Sequence, residues 1–315
     1  MTRQSLQWPA IPFAEWRETC AALHLYSQIV GKYRLARTPW VNHSWHATLY
    51  VNARGLSTGM ICDGPSGGIE IVLDLIDHAV IAMAADGATE RFALQPMTVA
   101  DFHGRFIDLL ESIGATAQFD GTPNEIPDPV PFAQDTRPRP YDADAVRRFF
   151  GALVQINRVM RQFRTSFLGK VSPVHLFWGS FDMAVTRFSG RDAPRHPGGI
   201  PSLPDAVTHE AYSHQVSSAG FWPGGGGIED AAFYSYAYPV PEGFKDQPVL
   251  PDAAYFHEDL GEFILPYEAV RTASDPDATL LEFFQSTYDA AATLGDWDRA
   301  NLECHPGVPL RPRAV

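Results

Sequence analysis

The clearest cluster of chemistry-bearing side chains in the 315-residue chain is THEAYSHQVSS, residues 208–218. Read as a strand, it sets Glu210, Tyr212 and His214 on one face and His209 and Ser213 on the other, because strand side chains alternate. A buried face that holds a carboxylate, a phenol and an imidazole must pair them with one another or with a ligand, since an unpaired buried polar group costs roughly 1 to 3 kcal/mol. His175 opens the preceding strand region and Asp182 lies within it, while His257 and Glu262 fall in the later segment AAYFHEDLGEFILPYEAV, and all could face a common cavity. Two or three histidines with one carboxylate and open positions suit iron(II), zinc or manganese in a catalytic site. His175, Glu210, His214 and His257 are the candidate ligands, and Tyr212 and Arg187 are the candidates to orient a substrate. The HExxH signature is not met, because His209 and His214 are one residue further apart; on a helix that spacing separates two imidazoles by about 140°. The competing reading makes Glu210 and His214 a hydrogen-bonded pair that serves the fold.

Other residues offer weaker chemistry. FYSYAYP places Tyr234, Tyr236 and Tyr238 on one strand face, and with Trp178 and Trp222 they could wall a pocket for an aromatic or sugar-like ligand. Cross-strand aromatic packing explains the same stripe. Arg187 and Arg191 could grip a ligand carboxylate bidentately, or pair with Asp182 or Glu262. His43 and His46, in NHSWH, face oppositely in a strand and read as structural, although a site spanning both halves of the chain would need at least one of them. The run Pro223–Gly227 lacks the spacing of a phosphate loop and reads as a turn beside Phe221 and Trp222. No GxSxG elbow is present, although Ser217 and Ser218 neighbour His214. Cys20, Cys62 and Cys304 are scattered, odd in number and free of CxxC spacing, which indicates neither a disulfide framework nor a thiolate zinc site and fits a reducing, cytoplasmic compartment.

The elements that must position these residues repeat. PFAEWRETCAALHLYSQIVGK and DADAVRRFFGALVQINRVMRQFRTSFLGK both show helical periodicity, the second with Asp142 or Asp144 as N-cap, and both are expected to end at Gly-Lys, Gly31-Lys32 and Gly169-Lys170. WHATLYVNARG and WGSFDMAVTRF then read as strands with Arg54 and Arg187 equally far from Trp45 and Trp178, and Asp74/His78 matches Glu210/His214 in spacing. ERFALQP and FYSYAYP follow as strands, and TVADFHGRFIDLLESIGA and DATLLEFFQSTYDAAATLGDW as amphipathic helices. The order helix, strands, helix occurs twice. Consecutive strands without intervening helices predict antiparallel sheets, hence an α+β fold of two similar helix–antiparallel sheet–helix halves in one pseudo-symmetric structure. The halves are residues 1–120 and 142–300, joined by the Pro-rich linker 121–141 and followed by a tail, 301–315.

A formal charge of −13 and a pI near 5.2 disfavour nucleic acid, and the stripe Arg158, Arg161 and Arg164 reads as a solvated helix face. The opening MTRQSLQWPAIPFAEW has no apolar signal core, and the apolar stretch near residues 75–85 is broken by Asp77, His78 and Asp86, so no membrane association is expected. SPVHLFWGSFDMAVTRFSGR, HEAYSHQVSSAGFWPGGGG and WPAIPFAEWRETCAALHLYSQIVGK resemble a bacterial family catalogued as domain-of-unknown-function family 5996, over nearly the whole chain. That resemblance implies no activity and no catalytic residues. Three readings follow: a mononuclear metal enzyme acting oxidatively or hydrolytically on a small organic molecule, with its site in the second half; a metal-free, helix-grip-like pocket for an apolar or aromatic ligand; and a structural protein that binds a partner, of which a homodimer is the simplest form.

Overall fold

The computed structural model describes residues 8–313, so part of the opening segment MTRQSLQWPAIPFAEW lies outside the described residues. The first half runs α1 (Phe13–Arg37), β1 (Tyr50–Val51), β2 (Gly55–Ile61), β3 (Ile69–Asp74), β4 (Ala79–Ala84), β5 (Thr89–Ala93) and α2 (Val99–Ser112). The second runs α3 (Ala143–Arg164), β6 (His175–Phe177), β7 (Asp182–Asp192), α4 (Asp205–Ala211), β8 (His214–Trp222), β9 (Ala232–Tyr238), β10 (Tyr255–His257), β11 (Glu262–Pro266), α5 (Tyr267–Arg271), α6 (Pro276–Leu294) and α7 (Arg299–Leu302). Both sheets are antiparallel, in the orders β1-β2-β3-β4-β5 and β10-β11-β9-β8-β7-β6, so the α+β architecture of two similar halves holds.

Local chemistry sets the helix starts. Thr98 and Asp101 form a reciprocal capping box for α2, and Asp142 and Asp275 accept from Ala145 and Ala278 to cap α3 and α6. The Gly-Lys dipeptides end neither helix: α1 continues to Arg37 and α3 stops at Arg164. Gly31 is instead a packing position, since a Cβ there would lie 2.2 Å from Cδ1 of Trp178.

The residue-by-residue register between the halves does not hold either. Arg54 sits at the turn into β2, where it pairs with Asp74 and Asp77, whereas Arg187 is fully buried in mid-β7. Asp74 accepts the backbone N–H groups of Ile76 and Asp77 across the β3–β4 turn, and His78 occupies that turn with φ 51°. Their counterparts differ in kind. Glu210 lies in α4 and His214 opens β8, so THEAYSH is a helix leading into a strand and not one strand. The sequence Pro204-Asp205 supplies the helix start, and Val207, Thr208 and Ala211 recur with a helical period.

The halves meet through backbone and core. Leu49 and Leu176 exchange N–H···O bonds of 2.9 and 2.8 Å, linking the edges of the two sheets. Trp16 packs on Phe149 and His24 on Phe181, and one buried apolar cluster runs through both halves. One face of the second sheet, carrying Val185, Ala219, Phe221, Phe233 and Phe263, enters this core. The opposite face fronts a cavity.

Candidate functional site

Strand alternation and register fix which side chains reach that cavity. Asp182, Ala184, Thr186 and Phe188 on β7, Val216 and Ser218 on β8, and Tyr234 and Tyr236 on β9 all line it. Its other walls come from elsewhere in the chain: α1, the segment around His43 and Trp45, the linker residues Asn124 and Glu125, and α4. The enclosed volume is about 570 Å³, within the range of small-molecule sites.

The floor is graded along β7. At one end lies Asp182, 5% exposed, whose carboxylate accepts hydrogen bonds from Ser180 Oγ and Tyr234 OH. Tyr234 belongs to β9 and must cross β8 to reach it, passing over Gly220, where a Cβ would stand 2.0 Å from the tyrosine Cζ. Only glycine leaves that path open. Glu125 approaches the same end, with its Oε1 packed so close to Gly179 that a Cβ there would lie 1.9 Å away. Two glycines thus seat two carboxylates.

Mid-floor, hydroxyls form a ladder. Thr186 Oγ1 and Ser218 Oγ are 2.9 Å apart, and the Tyr212 and Tyr236 hydroxyls are also 2.9 Å apart. At the far end Phe188 packs against His43, with centroids 4.6 Å apart, and against Trp45. His43 is held by the Ala211 carbonyl at Nδ1, 2.8 Å, and by the Lys170 ammonium at Nε2, 2.5 Å. An ammonium can only donate, so Nε2 accepts and Nδ1 carries the proton. Burial holds this imidazole below its ordinary pKa.

Electrostatically the Asp182 end is unusual. Among the described residues no Lys, Arg or His lies within ion-pair distance of Asp182, Glu125 or Glu262. Burial, reinforced by the nearby Asp182 charge, lifts Glu125 to about 7 and Glu262 to about 8. Burial also raises Asp182, against the hydrogen bonds from Ser180 and Tyr234. Glu262 begins β11 beside Tyr236's strand, and its Oε2 is buried without a hydrogen-bond partner. Glu125 and Glu262, titrating near neutrality, can donate and accept protons, and neither they nor Asp182 has a cationic partner among the described residues.

The residues singled out from sequence are distributed unevenly around this cavity. Tyr212 lines it. Glu210 stands at the Phe188 end, accepting from Trp40 Nε1, and His214 is close by, its ring 6.0 Å from that of His43. His175 and His257 occupy opposite edge strands of the six-stranded sheet, five strand spacings or about 24 Å apart. The four candidate ligands therefore do not meet, and among the described residues no three His, Cys, Asp or Glu side chains form a group that could hold a metal ion. Arg187 faces away from the cavity: it bonds Phe163 O and Ser166 Oγ and lies 3.6 Å from the Phe163 ring centroid and 4.3 Å from that of Tyr288. Tyr212 and Arg187 thus cannot grip one ligand. Arg191 is spent on the Gly295 carbonyl.

Sequence reasoning singled out the tyrosine stripe and Trp178 as pocket wall and named Asp182 as able to face a cavity, but it read His43 as structural and missed Glu125 altogether. Glu125 had one available signal, a lone Asn-Glu pair between Pro123 and Pro127 in the linker. The model of a family of unknown function, DUF5996, matches residues 8–304. No curated protein and no solved structure matches the chain.

Proposed function

The chain belongs to the family of unknown function DUF5996, and from its geometry we propose that it binds one small organic molecule with an aromatic or apolar body, without a metal ion, between the two halves. The observation that carries this reading is the 570 Å³ cavity itself, walled by aromatic rings from both halves and floored by a short ladder of hydroxyls. Trp45, Trp178, Phe177, Phe188, Tyr234 and Tyr236 supply the apolar area, and Thr186, Ser218 and Tyr212 supply orienting hydrogen bonds. The enzymatic form of the reading is proton transfer by Asp182 and Glu125 to or from that molecule, since both line the cavity. It needs no ion.

A calorimetric screen of neutral aromatic compounds tests the reading, with Ala184→Phe as the control. Ala184 is buried and points from β7 into the cavity, so a phenyl ring there occupies the ligand's space. Wild type should yield binders with micromolar affinity that the variant loses while it still melts cooperatively. Binders that persist unchanged in the filled variant, or no binders in wild type, would overturn the proposal. Elemental analysis of protein purified without added metal separates it from the metalloenzyme reading built on His175, Glu210, His214 and His257. About one equivalent of iron, zinc or manganese would favour that reading, and less than about 0.2 equivalents supports the metal-free pocket.

A further inference from the structure

Resting on the pocket reading, we propose that the ligand carries a cationic nitrogen, a protonated amine or amidine, which seats between Asp182 and Glu125 while its apolar body extends along β7 toward Phe188. The argument begins with a mismatch of charge. Asp182 is 5% exposed and lines the cavity, and Glu125 lines it from the linker, its Oε1 against Gly179. Glu262 adds a third carboxylate on the neighbouring strand, with one oxygen buried and unpartnered. The cation nearest in the lining is Lys32, whose ammonium is taken by Asp120 at 2.7 Å. Elsewhere in the chain the buried Asp74 has Arg54, and the half-buried Asp135 has Arg139. Among the described residues Asp182 and Glu125 have none.

Burying carboxylates without a counter-charge is costly, and they persist either by holding protons or by meeting a cation. The raised titration of Glu125 and Glu262 is the first course, and a bound cation would lower both. The surrounding rings add to the case, because Tyr234 lies against Asp182 and Trp178 walls the same end, and aromatic faces attract a cation that carboxylates neutralise. Along the floor, three two-residue steps separate Asp182 from Phe188, about 20 Å at strand rise, which leaves room for an extended apolar body. An anionic ligand would instead meet the carboxylates at that end.

Matched pairs that differ only in the charged group test this: tryptamine against 3-propylindole, and 2-phenylethylamine against propylbenzene, titrated calorimetrically into the full chain. In at least one pair the amine should bind about tenfold to a hundredfold more tightly, the range of a charge-assisted hydrogen bond to a buried partner. That preference should vanish in Asp182→Asn and in Glu125→Gln; an amine preference that survives both substitutions overturns the seating. Glu125 lies in the linker rather than in the sheet, so its variant keeps the test open if Asp182→Asn fails to fold. Neutral members that bind as tightly as their amines overturn the cationic inference and leave the pocket reading standing. If no member of any pair binds and the neutral aromatic screen is also empty, both fall.

Discussion

His175 and Arg187 show how a residue's chemistry is decided by what surrounds it. His175 is 1% exposed, neither ring nitrogen has a partner, and its neighbours are the rings of Phe177 and Tyr50. Burial, with smaller contributions from the Arg34 and Arg164 charges, drives its pKa down to about 3. The folded protein therefore keeps the imidazole neutral, while the unfolded chain takes up a proton below its ordinary pKa of 6.5. Stability from this position is fully present above 6.5 and is lost as pH falls from there toward 3, by about 2 kcal/mol at pH 5. His175→Leu, similar in volume, removes both the unpartnered nitrogens and this acid loss. In urea denaturation the variant should match or exceed wild type at pH 7.5 and exceed it by about 2 kcal/mol at pH 5; an equal difference at the two pH values would refute the assignment. Arg187 is the opposite case, since its guanidinium is buried with hydrogen bonds and two aromatic faces, and it serves the joint between α3, α6 and the sheet.

At the scale of elements, the cavity depends on close approaches that glycine allows. Trp178 lies against α1 at Gly31, donates to the Ala47 carbonyl at 2.7 Å and forms cavity wall. Gly31→Ala would place a methyl 2.2 Å from its ring, so the indole must move, at a cost of about 1 to 3 kcal/mol for overpacking. The variant should show a lower melting temperature and weakened binding of any cavity ligand, both measurable by thermal shift; unchanged binding would mean that Trp178 does not shape the site. The same position shows what was legible in the sequence. Periodicity gave the long helices and alternation gave the tyrosine stripe, because both are local patterns that burial reinforces. Gly31-Lys32 resembled a helix end because glycine's absent side chain signals equally a terminus and a crowded crossing, and only the tertiary neighbour tells them apart. THEAYSH misled because its polar pattern suits a strand while Pro204-Asp205, a few residues earlier, starts a helix. At the acidic end of the cavity Asp182 and Glu262 were legible as candidates, but Glu125 was not. Asp182 and Glu125 are 57 positions apart, and their meeting depends on how the linker lies across the sheet.

For the whole molecule, the sequence repeats an order of elements, but the physical unit is the pair of halves. The cavity takes its floor from the second sheet and its remaining walls from α1, the His43 segment, the linker and α4. The same joint carries the Leu49–Leu176 backbone bonds, the Trp16–Phe149 contact and the Trp178–Ala47 hydrogen bond. Removing residues 1–141 would uncover the face of Phe149 that Trp16 covers, leave Leu176 N–H and C=O without partners, and expose Tyr234 and Tyr236 to solvent. Each loss is modest, about 1 to 3 kcal/mol, but together they match the whole stability of an ordinary domain. The fragment 142–313 should therefore lack a cooperative thermal transition, whereas the full chain should melt in a single one whose midpoint rises with a cavity ligand. Two separate transitions in the full chain, or a cooperative melt of the fragment, would show that the second half is a domain in its own right and that the first only covers the site.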